Sequence, residues 1–226
     1  MNGTLALVGG AEWTDGCTFD AGLVEGAEEV LVVPSALAYE QPLHAIDRAN
    51  RWFGALGVGV RVLEVYRRSE ALTVPVDSVR SASCIYVAGG SPMHLRSVLL
   101  GTPLLDALIA AWRGGATVAV AAEAASTLCS HMVDNRGGAF TVGLELVTTM
   151  TVVPRANQWS HDKWHRTVAL APRGLPVVGV DEATALIHRP DGSWQVEGVG
   201  GVRVVVDGQT ADIDALPRML NPALDG

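Results

Sequence analysis

The sequence predicts an α/β fold, a three-layer sandwich with a mostly parallel central sheet and short antiparallel strands in its C-terminal third. Three observations predict it. Short β-branched and apolar runs recur along the first half of the chain, segments with helical spacing separate them, and several runs stop at glycine or a small polar residue. In sheets of this kind the ligand site lies beyond the C-terminal strand ends.

The elements follow in order. Leu5–Val8 is a strand ending at Gly9-Gly10, and Val30–Val33 is a strand ending at Pro34-Ser35. Residues 40 to 56 carry Leu43, Ile46, Trp52 or Phe53, and Leu56 near helical spacing, and they stop at Gly57. Val60–Val65 and Cys84–Ala88 are the third and fourth strands, the latter ending at Gly89-Gly90-Ser91. Helices from Pro92 to Leu100 and from Pro103 to Trp112 each begin on proline, which suits a first helical turn. Thr117–Ala121 is the fifth strand, and it runs with almost no linker into an Ala-rich helical segment ending near Cys129.

After residue 140 the pattern changes to short strands at Val177–Val180, Thr184–His188, Trp194–Glu197 and Val202–Val206, with a hairpin turn at Pro190-Asp191-Gly192. These are expected to extend the same sheet in mixed or antiparallel fashion. No linker, repeat or low-complexity stretch divides the chain, so one domain over 1–226 is expected.

Composition narrows the function classes. With 49% hydrophobic and 18% charged residues in 226, the chain is globular and long enough for one substantial core. A net charge of −8 gives no electrostatic reason to approach nucleic acid or an anionic membrane. Cys17, Cys84 and Cys129 lack metal or redox spacing, and the last two read as buried thiols. No apolar run reaches the length of a membrane span and no secretory leader is legible, so a cytoplasmic protein is expected.

The stretch from Thr117 to Cys129 has the layout of a nucleophile elbow, a sharp strand-to-helix turn that lifts one side chain into a cleft between small neighbours. Here the ionisable side chain at its tip is Glu123. Gly9, Gly10, Gly89, Gly90 and Ser91 should converge on the same cleft. The Gly-Gly-Ser turn either presents backbone N–H donors to a ligand oxygen or simply needs glycine geometry.

Together these pieces resemble the cyanophycinase and dipeptidase E family of serine peptidases, a branch of the class I glutamine amidotransferase-like folds. The resemblance rests on Leu7-Val-Gly-Gly10, Val33-Pro-Ser-Ala36, Tyr86-Val-Ala-Gly-Gly-Ser91 with Leu95, the elbow, Gly143-Leu-Glu-Leu146 and Gly179-Val-Asp-Glu-Ala-Thr-Ala185, in order over residues 5 to 206. The family's chemistry requires Ser in a G-x-S-A-G elbow and a His base in a D-x-H-F-like segment. This chain reads Ala121-Ala122-Glu123-Ala124-Ala125 in the first place. In the second it reads Val152-Val-Pro-Arg-Ala-Asn-Gln-Trp159, with Ala156 or Asn157 where His would stand. An acylating serine needs both hydroxyl and base, so the resemblance carries the fold and not the hydrolysis.

Two classes of function remain. The first is a non-catalytic binder of a small amino-acid-like or short peptide ligand, held by Gly9, Gly10, Gly89, Gly90, Ser91, Ala124 and Asn157. The second is a repurposed enzyme using Glu123 with His161 as general acid and base on a small molecule. Arg155, His161 and Arg96 are the candidate partners of the Glu123 carboxylate. A third reading keeps hydrolysis through Ser126 or through a metal on His161 and His165, one helical turn apart in Trp159-Ser-His-Asp-Lys-Trp-His165. Ser130, His131 and Asp134 are expected as surface polar residues at one helix end. No cofactor and no metal are expected, nor a nucleic-acid or membrane partner, and a homodimer is left open.

Overall fold

A computed structural model describes residues 2–223, so residues 1 and 224–226 of the expected single domain lie outside the described residues. The first half runs β1 (Leu5–Val8), α1 (Asp20–Leu23), β2 (Glu29–Val33), α2 (Pro42–Ala55), β3 (Gly59–Val62), α3 (Arg68–Ala71), α4 (Asp77–Arg80), β4 (Cys84–Val87), α5 (Pro92–Leu99), α6 (Pro103–Arg113), β5 (Thr117–Ala121) and α7 (Ala122–Thr127). The second half runs β6 (His131–Val133), β7 (Phe140–Val142), β8 (Thr151–Pro154), α8 (His161–Leu170), β9 (Val177–Val180), β10 (Thr184–His188), β11 (Trp194–Gly198), β12 (Val202–Val206) and β13 (Gln209–Ala211).

The architecture is the expected α/β sandwich with a mostly parallel central sheet. Its seven strands take the order β11-β10-β1-β5-β4-β2-β3. β1, β5, β4, β2 and β3 are parallel, while β10 and β11 add an antiparallel edge. Alternation along each central strand feeds two cores, because successive side chains point to opposite faces. Leu5, Leu7, Leu31, Val33, Ile85, Val87, Val118 and Val120 face α5, α6 and α7. Ala6, Val8, Val30, Val32, Cys84, Tyr86, Ala119 and Ala121 face α1 and α2. Strands so covered on both sides have to be apolar throughout, which is why they read as uninterrupted runs. Cys17, Cys84 and Cys129 are buried free thiols.

Two expectations change. The strands after residue 140 do not all extend the central sheet: β8, β9, β12 and β13 form a separate four-stranded sheet, and β6 with β7 makes a two-stranded hairpin. The chain crosses between sheets at the turn 181–183, where Ala183 takes a left-handed φ of 50°. Consecutive β9 and β10 therefore lie in different sheets, and a run of strand-forming residues does not reveal its pairing partner. In α2 the buried face is Ala45, Ile46, Ala49 and Phe53, while Leu43 and Leu56 are exposed. No single helix among the described residues is long and apolar enough to cross a membrane. α5 and α6 pass that test only as a pair bent by 96°, and both bury leucines in the core.

The first residue of α1, turned toward α2, is a polar group with consequences for stability. Asp20 is fully buried and its Oδ2 accepts a 2.8 Å hydrogen bond from the Trp52 indole N–H. Burial raises its pKa from 3.8 to about 7, with a smaller push from the Glu12 charge, while Trp52 and Tyr86 act in the opposite direction. The folded protein thus holds a proton that the unfolded chain releases between those two values. Stability falls as pH rises through that window, by about 1.4 kcal/mol per unit, and levels off above it. Asp20→Asn should remove this dependence. Denaturant melts at about pH 5 and about pH 8 should show the wild type losing stability relative to the variant at the higher pH. Phe53 is fully buried and meets Trp13 and Tyr86 edge-on at 6.2 and 5.9 Å. Phe53→Ala should cost about 3–5 kcal/mol in the same measurement.

Candidate functional site

A cleft of about 910 Å³ opens beyond the C-terminal ends of β1, β2, β4 and β5. Register decides what meets there. Val8 of β1 lies opposite Ala121 of β5, and Val87 of β4 opposite Val120, so the residues that leave these strands emerge side by side. β5 passes into α7 without a linker, and the reversal is made by a left-handed backbone at Ala122, φ 47°. For a residue with a Cβ this conformation costs about 1–2 kcal/mol. Space for it comes from glycine. A Cβ at Gly89 would lie 2.7 Å from the Ala122 Cβ, and one at Gly10, itself at φ 126°, would lie 3.6 Å from it. The strained residue is therefore Ala122, one position before the expected Glu123. β5 ends at Ala121 as its apolar run indicates, but backbone angles are not visible in the residue types, so which residue takes the reversal is decided by the fold.

Glu123 occupies the first turn of α7 and lines the cleft. Its partner is Arg155, whose Nε lies 3.7 Å from Glu123 Oε1 and 3.8 Å from Glu182 Oε1. Neither approach is a hydrogen bond, and the buried Nε has no hydrogen-bond partner. Arg155 is tied to the end of β1: its backbone, at φ 50°, donates to Gly9 O at 2.7 Å. The side chain passes over Gly10, where a Cβ would come within 3.0 Å of it. Gly9 is hemmed in as well, since its Cβ would lie 2.0 Å from the Asp181 carbonyl oxygen.

The Gly89–Ser91 turn lines the cleft, while Gly9 and Gly10 are not among its lining residues. Gly89 N–H is taken by Glu12 Oε1 at 3.1 Å, and Ser91 N–H by Ala36 O at 2.9 Å. The Ser91 hydroxyl caps α5 by accepting from His94 N. Glu12 is buried and lines the cleft between two left-handed residues, Ala11 (φ 52°) and Trp13 (φ 62°). Reading the sequence missed it. The signal was present, since it stands two residues beyond Gly10 at the end of β1, where such sheets place their ligands.

The opposite wall is the β6–β7 hairpin, whose turn supplies Asp134, Asn135 and Arg136. His131 and Asp134 thus belong to this hairpin, Ser130 directly precedes it, and Asp134 is a cleft residue. The Arg136 backbone N–H and guanidinium lower the Asp134 pKa. α8 holds the hairpin: Lys163 Nζ donates to Asn135 O, and the Thr167 hydroxyl donates to Gly138 O at 2.8 Å. Burial lowers the Lys163 pKa, with the Asp134 and Glu123 charges opposing.

Other expected site residues lie elsewhere. The His161 side chain is 90% exposed, with Nδ1 3.8 Å from its neighbour Asp162, and it does not line the cleft. α8 turns that face to solvent and buries Thr167 instead. The His161 and His165 rings stack with centroids 6.3 Å apart. No group of three or more His, Cys, Asp or Glu able to hold a metal occurs among the described residues. Ala124 is packed in the core. Asn157 is exposed and accepts from Glu182 N at 3.0 Å, ordering the turn that carries Glu182. Ser126 is buried and donates to Glu123 O, and Arg96 donates to Gly143 O.

Two cyanophycinases, from Nostoc sp. (strain PCC 7120 / SAG 25.82 / UTEX 2576) and Trichormus variabilis (strain ATCC 29413 / PCC 7937), are each 28% identical over 189 residues, covering 78% of this chain. The chain spans 62% of the length of these curated relatives. The crystal structure of a peptidase from an acI-B1 Actinobacterium superposes with a TM-score of 0.79 at 26% identity, covering 93% of this chain and 97% of the other. A candidate peptidase E from Listeria monocytogenes EGD-e shares the fold, with a TM-score of 0.68 at 15% identity over 88% of this chain and 100% of the other. The model of peptidase family S51 matches residues 18–195, a span that takes in the Gly89–Ser91 turn, the β5–α7 turn and Arg155. By that match the chain belongs to peptidase family S51.

Proposed function

We propose that the cleft binds a small amino-acid-like or short peptide ligand and that the chain does not carry out serine-dependent hydrolysis. The observation that carries this reading is Ala122. A nucleophile elbow holds its nucleophile at the strained residue of the strand-to-helix turn, and here that residue has a methyl group. The lining supports the same view. Among the described residues it contains Ser91, Thr14 and Thr141 but no histidine or cysteine, and an acylating hydroxyl needs a base in hydrogen-bond reach. The residue after β8 that reaches over Gly10 is Arg155, whose guanidinium stays protonated and cannot serve as a general base.

What the cleft does offer is binding chemistry: Glu12, Glu40, Glu123 and Asp134 as anions, Arg48, Arg136 and Arg155 as cations, and apolar patches from Leu37, Met93 and Phe140. Mixed charges close together suit a zwitterion or a short peptide with both kinds of terminus. Membership of a peptidase family supports a ligand of peptide type. A second reading, proton transfer by Glu123 on a small molecule, is favoured by the carboxylate in the cleft. Its expected partner His161 is not there.

A serine-directed fluorophosphonate probe should leave the wild type unlabelled, and dipeptides should be returned intact. Ala122→Ser should stay inactive, because it restores the hydroxyl without a base. Labelling or dipeptide turnover by the wild type would overturn the proposal. In a thermal-shift panel of free amino acids and dipeptides, a true ligand at a hundred times its Kd should raise Tm by about 5–10 °C. Arg155→Gln should abolish that shift. Turnover of a bound compound that Glu123→Gln removes would favour the second reading.

A further inference from the structure

We propose that Glu12 sets the specificity of this cleft by giving it a receptor for a cationic group, a primary ammonium or a guanidinium, beside the β5–α7 turn. The inference rests on the binding role proposed above and names the class of group bound there. Glu12 is 6% exposed, and its carboxylate lines the cleft. Its Oε1 accepts from Gly89 N at 3.1 Å. A Cβ at Gly89 would lie 2.9 Å from that oxygen and 2.7 Å from the Ala122 Cβ, so carboxylate, turn and strained residue meet at one point.

Two consequences follow. First, Gly89 N–H is already used, and Ser91 N–H is bound to Ala36 O. A ligand oxygen aimed at the Gly89 N–H must displace Glu12 or approach it closely, and like charges at short range in a partly dry site repel strongly. Second, the Glu12 carboxylate has no Lys, Arg or His nitrogen within 4.0 Å among the described residues. Arg155 lies between Glu123 and Glu182, and Arg48 lies over the Trp13 ring at 5.8 Å. The Asp20 carboxyl on the inner side is another acid, close enough to feel the Glu12 charge. Burying a carboxylate with one hydrogen bond and no counter-charge costs free energy. A cationic ligand group supplies the missing charge and the missing donors.

The test compares ligands of matched length, n-butylamine and n-butylguanidine against butyrate, by calorimetric titration of the full chain. Wild type should bind the two cations at least about tenfold more tightly than butyrate. Glu12→Gln keeps the shape and an acceptor for Gly89 N–H, and it should lower cation affinity about tenfold or more without weakening butyrate. Glu25→Gln, an exposed carboxylate outside the cleft lining, should change cation affinity by less than about threefold. Equal loss in both variants would assign the effect to the general field and overturn the proposal. So would a wild type that shows no preference or prefers butyrate, whether or not the Gln variant folds. Ligands from the amino-acid and dipeptide panel that bind with a Glu12-independent affinity would sink this inference and leave the binding role standing. Absence of binding by every probe and every panel compound would overturn both.

Discussion

The left-handed backbone at Ala122 is the constraint on which the cleft depends. Parallel pairing sets the ends of β1, β4 and β5 at one level, and α7 must start at once to cover the sheet. Only a sharp reversal does both. It drives one Cβ toward the neighbouring strand ends, and Gly10 and Gly89 are the positions that yield. Strain is not confined to that point. Of the non-glycine residues with positive φ among those described, Ala11, Trp13, Ala122, Arg155 and Ala183 all stand on the turns around this cleft. Conformations of this kind persist where surrounding structure over-determines them, which happens most often at functional sites.

Membership of peptidase family S51 and the composition of the cleft pull in different directions. The frame of strand ends, glycine turns and strand-to-helix reversal is in place, while the strained residue of that reversal is Ala122. The cleft carries charges. Arg155, nearly half exposed, is set between two carboxylates beyond hydrogen-bond distance, and solvent screening keeps such pairs worth little in stability, about 0–1 kcal/mol. Glu12 differs because it is buried and has no Lys, Arg or His nitrogen within 4.0 Å among the described residues.

Much of the fold was legible because covered parallel strands must be apolar on both faces, so Leu5–Val8, Val30–Val33, Cys84–Val87 and Thr117–Ala121 announced themselves as continuous runs. Pairing after residue 140 was not legible. β9 and β10 are both strand-like, and the turn that sends them to different sheets depends on the backbone of Ala183. At the site, punctuation was informative: Gly9-Gly10 and Gly89-Gly90-Ser91 mark strand ends, and Arg155 was among the residues expected to meet Glu123. His161 misled because spacing on a helix shows which residues share a face, not whether that face turns to the cleft or to solvent.

By itself the sequence determined the kind of protein this is. Hydrophobic periodicity and glycine placement are local, and they suffice to specify a parallel α/β sandwich with a site beyond its strand ends. It also determined that the turn after β5 carries neither serine nor cysteine at residues 121–125. Tertiary structure alone decided which residue stands at the strained point, that Arg155 rather than His161 answers Glu123, and that Glu12 closes on Gly89 from 77 residues away. Those outcomes depend on register between strands and on backbone angles, and both are set by the packing of the whole chain.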